Sequence, residues 1–423
     1  MLRAFVNAFR IPDLRNKILF TLLMIAIYRF GAHVPVPVID LSIVQDSLKG
    51  QQGVLALLNL FSGGALANMA VFALGIMPYI TSSIIMQLLS VVIPKLEQWR
   101  KQGETGQKKI TQWTRYLTVM LALLQSTGIA FALHNGQFGI ADPFPPGSFT
   151  PPNVALIVLT LTAGTALIMW MGELITQRGI GNGMSILIFT SVISSLPSFG
   201  VTIYKTAGGL KLGMFVGIMI LVIVAVVFMQ QGQRRIPVQY AKRVVGRKMT
   251  AGQSTYIPLQ VNQAGVIPII FASSVMYFPA MIANTVQSEW LQGLVNGFLN
   301  PSGISYNLVL ATLIVFFSYF YTAVVFNPVE TADNIRKYGG FIPGIRPGAP
   351  TSKYLNDVLV RITLPGSIFL AAIAILPSLL LAVWGVQDVF GGTSILITVG
   401  VALETMKQIE SQLLMRHYEG FLS

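Results

Sequence analysis

Leu212-Gly213-Met214-Phe215-Val216-Gly217-Ile218-Met219-Ile220-Leu221-Val222-Ile223-Val224-Ala225-Val226-Val227-Phe228-Met229 carries no charge and no amide side chain. A helix needs roughly 20 predominantly apolar residues to cross about 30 Å of hydrocarbon, and markedly shorter runs belong to buried cores. This stretch is long enough to read as a transmembrane helix. The rest of the chain has the same character: of 423 residues 53% are hydrophobic and 10% charged, against about 25% charged in an ordinary soluble domain. Mean hydropathy is +0.68, so the excess of 28 Lys and Arg over 15 Asp and Glu does not coat a water-facing body. A soluble globular protein is excluded.

Outward from that run lie nine more of span length or nearly so: Ile18 to Val34, Val71 to Ile93, Tyr116 to Leu133, Val154 to Leu174, Met184 to Leu196, Val266 to Ala283, Leu308 to Phe326, Ile362 to Val383 and Ser394 to Leu414. Together they predict an all-α polytopic membrane protein with ten transmembrane helices. The run from Met184, bounded by Gly183 and Pro197, is short and is expected inside the bundle, stopping short of one interface. The first run leads into Tyr28-Arg29-Phe30, Pro35 and Pro37 without a small-residue cleavage site, which suits an uncleaved span rather than a signal peptide.

Lys and Arg set the orientation, because cytoplasmic loops retain them. Of the 28, 24 fall on the side that holds both termini and the loops after even-numbered spans. That side is expected to be cytoplasmic. Arg29, Lys49, Lys205 and Lys211 remain on the outer side. The longest polar stretches, about 233–263 and 328–361, suit extended hairpins or short helices, and Pro143 to Pro152 reads as an outer loop.

Irregular segments at matching positions of two halves mark the substrate path in many transporters and channels. Gly75-Ile76-Met77-Pro78-Tyr79-Ile80 in the second span and Gly265-Val266-Ile267-Pro268-Ile269-Ile270 in the seventh share the form Gly-x-x-Pro-x-Ile. Each is second in a set of five, as an inverted five-plus-five repeat requires. Before the second span, Leu55 to Leu60 followed by Phe61-Ser62-Gly63-Gly64-Ala65-Leu66 is too short to cross. It reads as a re-entrant or interfacial helix, with Gly63 and Gly64 as a hinge if it moves.

Chemistry is conspicuously missing. There is no cysteine, hence no thiolate site or disulfide. His33, His134 and His417 lack metal-ligand spacing, and no nucleophile–base arrangement lies in the spans, so neither a metal, nor a cofactor, nor an enzyme is expected. Glu173, and Glu404 with Lys407, read as interfacial charges that snorkel, which disfavours the alternative of an ion-coupled secondary transporter of a small solute. No GxxxxGK[ST] phosphate loop is present, so driving energy must come from a partner or from the membrane potential. Thr81, Gln125 and Asn262 are polar positions in or beside spans, and the two amides suit bonds across a helix seam. Arg234, Arg235, Lys242, Arg243, Arg247 and Lys248 make one loop a candidate docking surface for acidic protein or RNA. Gly344-Ile345-Arg346-Pro347-Gly348 suits a rigid turn presenting one guanidinium.

These same segments resemble the SecY/Sec61-alpha family of protein-translocation channels. The resemblance runs through Asn59 to Leu66, Gly75 to Ile80, Arg178-Gly179-Ile180-Gly181-Asn182-Gly183, Asn262 to Pro268, Phe326-Asn327-Pro328, Glu330 to Asn334, Pro343 to Gly348 and Phe390-Gly391-Gly392-Thr393-Ser394. It implies two inverted five-helix halves, residues 1–200 and 201–423, with a re-entrant plug helix at about 57–69 that includes Phe61, Ser62, Gly63, Gly64, Ala65 and Leu66. It implies an apolar pore ring of Ile76, Ile80, Met184, Ile188, Ile270 and Ile397, and a lateral gate marked by Thr81, Gln125 and Asn262. Met184 stands where the family usually has a branched aliphatic residue. Arg346 matches the family's loop arginine for coupling to a motor. The implied function is passage of unfolded polypeptides across, and of apolar segments sideways into, the bacterial plasma membrane. The implied partners are SecE-like and SecG-like small membrane subunits, a SecA-like ATPase, the ribosome through rRNA contacts of the basic loops, signal sequences, preproteins and the lipid bilayer.

Overall fold

The computed structural model describes residues 9, 11–48, 59–136, 142–240, 243–245, 248–250, 254–286, 293, 297, 303–383 and 392–419. Each expected span lies at least in part on helix. In chain order these are α1 (Pro12–Gly31), the short outer α2 (Leu41–Leu48), α3 (Met77–Val92), α4 (Pro94–Lys101), α5 (Glu104–His134), α6 (Pro151–Arg178), α7 (Gly183–Gln231), α8 (Ile267–Val286), α9 (Ile304–Val325), α10 (Pro328–Lys337), α11 (Ala349–Val383) and α12 (Gly392–Glu419). Among the described residues α5, α6, α7 and α11 are each long and apolar enough to cross a bilayer, as is α9 taken together with α10, and α3 with α4 passes only as a pair bent by 99°.

Two differences from the sequence expectations have physical causes. The fifth span does not stop at Pro197: helix continues through it to Gly208, where φ is +84° and ψ is 167°. Proline costs one backbone donor, whereas glycine at a positive φ, which it adopts without steric cost, interrupts the helix, so the fifth and sixth spans are the two parts of α7 on either side of Gly208. The second span does not begin as helix at Val71. Residues 62–76 run as turns after a helical Asn59–Phe61, and α3 starts only at Met77, with proline in its first turn. Proline is tolerated there because the first N–H groups have no intrahelical acceptor. The expected plug helix is thus, from Ser62 on, a run of turns.

The two long polar stretches, expected as extended hairpins or short helices, hold strands and the short helix α10. β1 (Gln233–Tyr240) pairs antiparallel with β4 (Ser254–Gln260), and β5 (Gly340–Phe341) pairs with the other edge of β1; β2 (Arg243–Val245) and β3 (Lys248–Thr250) form a separate hairpin. Ile236 and Val238 alternate inward along β1. They pack with Leu259, Ile335, Ile342, Leu355 and Leu359 into a small core of their own, so the two long loops fold together as one module.

A single main core runs through the bundle. Buried residues from α1, the 59–76 segment, α3, α5, α6, both parts of α7, α8, α9, α11 and α12 form a single cluster. The start of α7 is buried at every position from Gly183 to Ile188, as expected for a helix inside the bundle. Its second part exposes Leu221, Val224 and Phe228, side chains suited to lipid.

Candidate functional site

The six expected ring residues are all buried, none more than 9% exposed, and all belong to the one central cluster. Ile76 and Ile80 come from the start of α3, Met184 and Ile188 from the first turns of α7, Ile270 from α8, and Ile397 from α12. Phe61, Ala65 and Leu66 of the folded-back segment lie in the same cluster. Met184 differs from the others: its thioether packs against Gly172 of α6, where a Cβ would collide with it. This directs the flexible side chain towards the fourth span.

The 59–76 segment is tied at both ends of its turn. Asn59 accepts from the backbone of Ala67 at 2.9 Å, and the Ser62 hydroxyl donates to the Asn59 carbonyl at 3.1 Å while accepting from the Leu66 N–H at 3.2 Å. Val36 N–H donates to the Met69 carbonyl at 2.8 Å and Val71 N–H to the Val34 carbonyl at 2.9 Å, a short bridge to the chain that follows α1. Phe72 stacks on Tyr28 with ring centroids 5.8 Å apart. Of the expected plug, Leu57 and Leu58 lie outside the described residues.

Thr81, Gln125 and Asn262 are buried, and helices α3, α5 and α8 that carry or adjoin them pack together. Their hydrogen bonds do not cross the seam. Thr81 donates back to the Met77 carbonyl at 3.0 Å, Asn262 donates to the Gly265 carbonyl at 2.9 Å, and the buried Gln125 amide nitrogen has no acceptor among the described residues. The expected bridge between amides is therefore replaced by two local bonds and one unsatisfied donor, which costs about 1–3 kcal/mol.

On the basic face, Arg234 and Arg235 are exposed on β1, and the Arg235 guanidinium lies 4.8 Å over the Tyr256 ring of β4. Lys242 and Arg247 lie outside the described residues, and Arg243 and Lys248 are placed only as members of β2 and β3. Arg346 is exposed in a turn bounded by Gly344 and Gly348, both at positive φ. Its carbonyl accepts from the Thr351 hydroxyl at 2.9 Å, and neighbouring Ile345 packs on the loop core. The geometry is a fixed turn with one outward guanidinium.

Sequence reasoning missed one pair. Glu173, expected to snorkel, receives two bonds from Arg115 of α5, Nε at 2.7 Å and Nη2 at 2.6 Å, with only 14% of the Glu173 side chain exposed. The pair clamps α5 to α6. Arg115 had counted only towards orientation, since nothing along the chain links it to a residue 58 positions away. Among the described residues no cluster of His, Asp and Glu could hold a metal ion.

A bundle of apolar helices, several long enough to cross a bilayer, with a buried apolar cluster that takes in the folded-back segment and a separate basic loop module, has the character of an integral membrane protein rather than a soluble receptor. Residues 70–406 match the SecY family model. The chain is 52% identical over its full length, and the full length of the relative, to the protein translocase subunit SecY of Streptomyces scabiei. Two solved structures share the fold. One is a SecY whose plug domain is described as stabilising the closed state of the translocation channel and maintaining a membrane seal, with TM-score 0.62 and 18% identity over 94% of this chain and 92% of that one. The other is Sec61 in the canine ribosome–channel complex, with TM-score 0.58 and 18% identity over the same shares. This chain belongs to the SecY family.

Proposed function

We propose that this protein is the protein-conducting channel of a bacterial Sec translocase, passing unfolded polypeptides through the bundle and releasing apolar segments sideways into lipid. The observation that carries the reading is the convergence of Ile76, Ile80, Ile188, Ile270 and Ile397 with Phe61 and Leu66 in one buried apolar cluster. A narrow apolar constriction excludes water and ions, and it offers a passing chain no hydrogen-bonding group to stick to. Met184 completes the ring at its edge, the 59–69 segment is the plug, and Thr81, Gln125 and Asn262 mark the lateral gate between α3, α5 and α8. The two halves meet at the break at Gly208, slightly beyond residue 200.

The membrane is the bacterial plasma membrane, with both termini and the loop module cytoplasmic. Arg234, Arg235, Lys242, Arg243, Arg247, Lys248 and Arg346 are the candidate contacts for a SecA-like ATPase or ribosomal RNA, and SecE-like and SecG-like subunits accompany the bundle in lipid. Reconstitution of the complex purified in mild detergent tests the reading: ATP-dependent uptake of an unfolded preprotein into vesicles is expected when the motor is supplied. Saturable uptake of a small solute by the isolated chain, without preprotein transport, would favour the transporter reading instead. Arg346→Glu should abolish motor-driven uptake while leaving the thermal stability of the complex within about 0.5 kcal/mol, as for an exposed turn residue.

A further inference from the structure

Arg29 is one of four basic residues on the outer side of a chain whose other 24 lie opposite, a position the orientation rule disfavours. It is half-buried near the end of α1, and its Nη1 donates to the Gly63 carbonyl at 2.8 Å. The same carbonyl is approached at 3.4 Å by the Ser194 hydroxyl of α7. One residue earlier, the Ser62 carbonyl lies 3.4 Å from the Tyr28 hydroxyl, which is also 2.6 Å from the Ser191 hydroxyl. Gly63 sits at φ +66°, and a Cβ there would stand 3.0 Å from both Arg29 Nη1 and the Ser191 Cα. The glycine therefore brings its backbone directly against α1 and α7.

We propose that Arg29, with Tyr28, Ser191 and Ser194, is a latch that holds the plug closed by gripping the Ser62 and Gly63 carbonyls. The contacts are unequal. Ser191 donates to the Leu187 carbonyl at 3.0 Å, which leaves its oxygen to accept from Tyr28 at the short distance; the Tyr28 proton is then largely withheld from Ser62. Ser194 likewise has one proton and a nearer acceptor, the Ser191 carbonyl at 2.7 Å. Arg29 is the strong member, because a charged donor forms shorter and roughly twofold stronger bonds than a neutral one and because its fork has no competing duty towards its own helix. Its grip is on backbone, so it acts on any plug side-chain sequence that keeps the turn. When the plug leaves, α1 and the start of α7 lose a shared acceptor and Arg29 turns to water at the outer mouth. Arg29 is a positioning residue and touches no translocating chain.

This inference rests on the plug reading above, and the test separates the two. Resting conductance is measured in planar bilayers for the purified complex carrying Arg29→Gln, Arg29→Lys, Tyr28→Phe or Ser194→Ala, each alone and in a chain lacking Phe61 to Leu66. Arg29→Gln is expected to raise the open fraction on the order of tenfold, as loss of one charge-assisted bond implies. Arg29→Lys should fall in between, Tyr28→Phe should give about threefold, and Ser194→Ala less than about twofold. In the shortened chain Arg29→Gln should add nothing. A leaky shortened chain with a tight Arg29→Gln complex overturns the latch, as does an Arg29→Gln leak that adds in full to that of the shortened chain. A shortened chain as tight as the parent overturns the plug reading itself.

Discussion

The two Gly-x-x-Pro-x-Ile segments make the same backbone and meet different neighbours. Gly75 has φ +57° and Gly265 φ +63°. Each is followed by helix from the second residue on, at Met77 and Ile267, with Pro78 or Pro268 in the first turn. The Ile80 N–H reaches the Ile76 carbonyl at 3.1 Å, and the Ile270 N–H reaches the Val266 carbonyl at 3.3 Å. Around Gly75, however, a Cβ would stand 3.1 Å from the Ser62 Cα and 3.3 Å from the Phe61 carbonyl; around Gly265 it would meet nothing within 4 Å. Gly265 borders a cavity of about 290 Å³ lined in part by Gln230, Asn262, Gln263, Tyr321 and Glu404. Local sequence repeats the turn, and the folded-back segment fills it in one half only. The two motifs thus share a backbone conformation, and only the first is packed against the folded-back segment.

The most forceful way to break the comparison is to put an amide into both motifs at the ring. Ile80→Asn and Ile270→Asn should each wet the constriction and raise resting conductance tenfold or more, together with export of proteins bearing defective signals, since less signal binding energy is then needed to open the gate. Ile80→Leu and Ile270→Leu should stay tight. If the seal is one-sided, Ile80→Asn, next to the plug, leaks more than Ile270→Asn; equal leaks would make the two motifs equivalent. Met184→Leu, whose thioether rests on Gly172, should leave conductance unchanged and stability within about 1.5 kcal/mol.

Alanine at the two glycines sharpens the comparison at intermediate size. Both substitutions carry the cost of a left-handed Cβ, about 1–2 kcal/mol. Only Gly75→Ala adds a tight contact with plug backbone. Thermal unfolding in detergent should therefore rank Gly75→Ala below Gly265→Ala, and only Gly75→Ala should also raise resting conductance. Equal shifts with both channels tight would remove the plug from the first motif.

The smallest effects belong to the amides, and they should differ in sign. Gln125→Leu removes an unsatisfied buried donor, so the seam should close more firmly and a passing segment should need greater hydrophobicity to leave into lipid. Asn262→Leu removes the bond to the Gly265 carbonyl that closes the second motif's turn, and the threshold should fall. Each shift is on the order of 1 kcal/mol in the apparent insertion free energy. Two shifts of the same sign would return the expectation of a direct bridge between the amides.

The sequence by itself determined that lipid is the solvent, where the apolar helices lie, and that two glycine–proline turns recur in the second and seventh expected spans, because hydropathy and backbone preference are summed over residues adjacent in the chain. Composition alone also made Ile76, Ile80, Ile188, Ile270 and Ile397 apolar wherever they met, but their assignment to one ring came through family resemblance. What only the tertiary structure decided are the partners of the exceptional residues: Arg29 finds a carbonyl 34 positions away, Arg115 a carboxylate 58 away, and β1 an edge on β5 a hundred residues later. The break at Gly208 rather than Pro197 belongs with these, because a proline inside an apolar run ends a helix in water yet is carried through when surrounding helices and lipid leave the backbone no better bond. Each outcome depends on which surfaces meet, and a span written as a row of interchangeable apolar residues does not encode its neighbours along its own length.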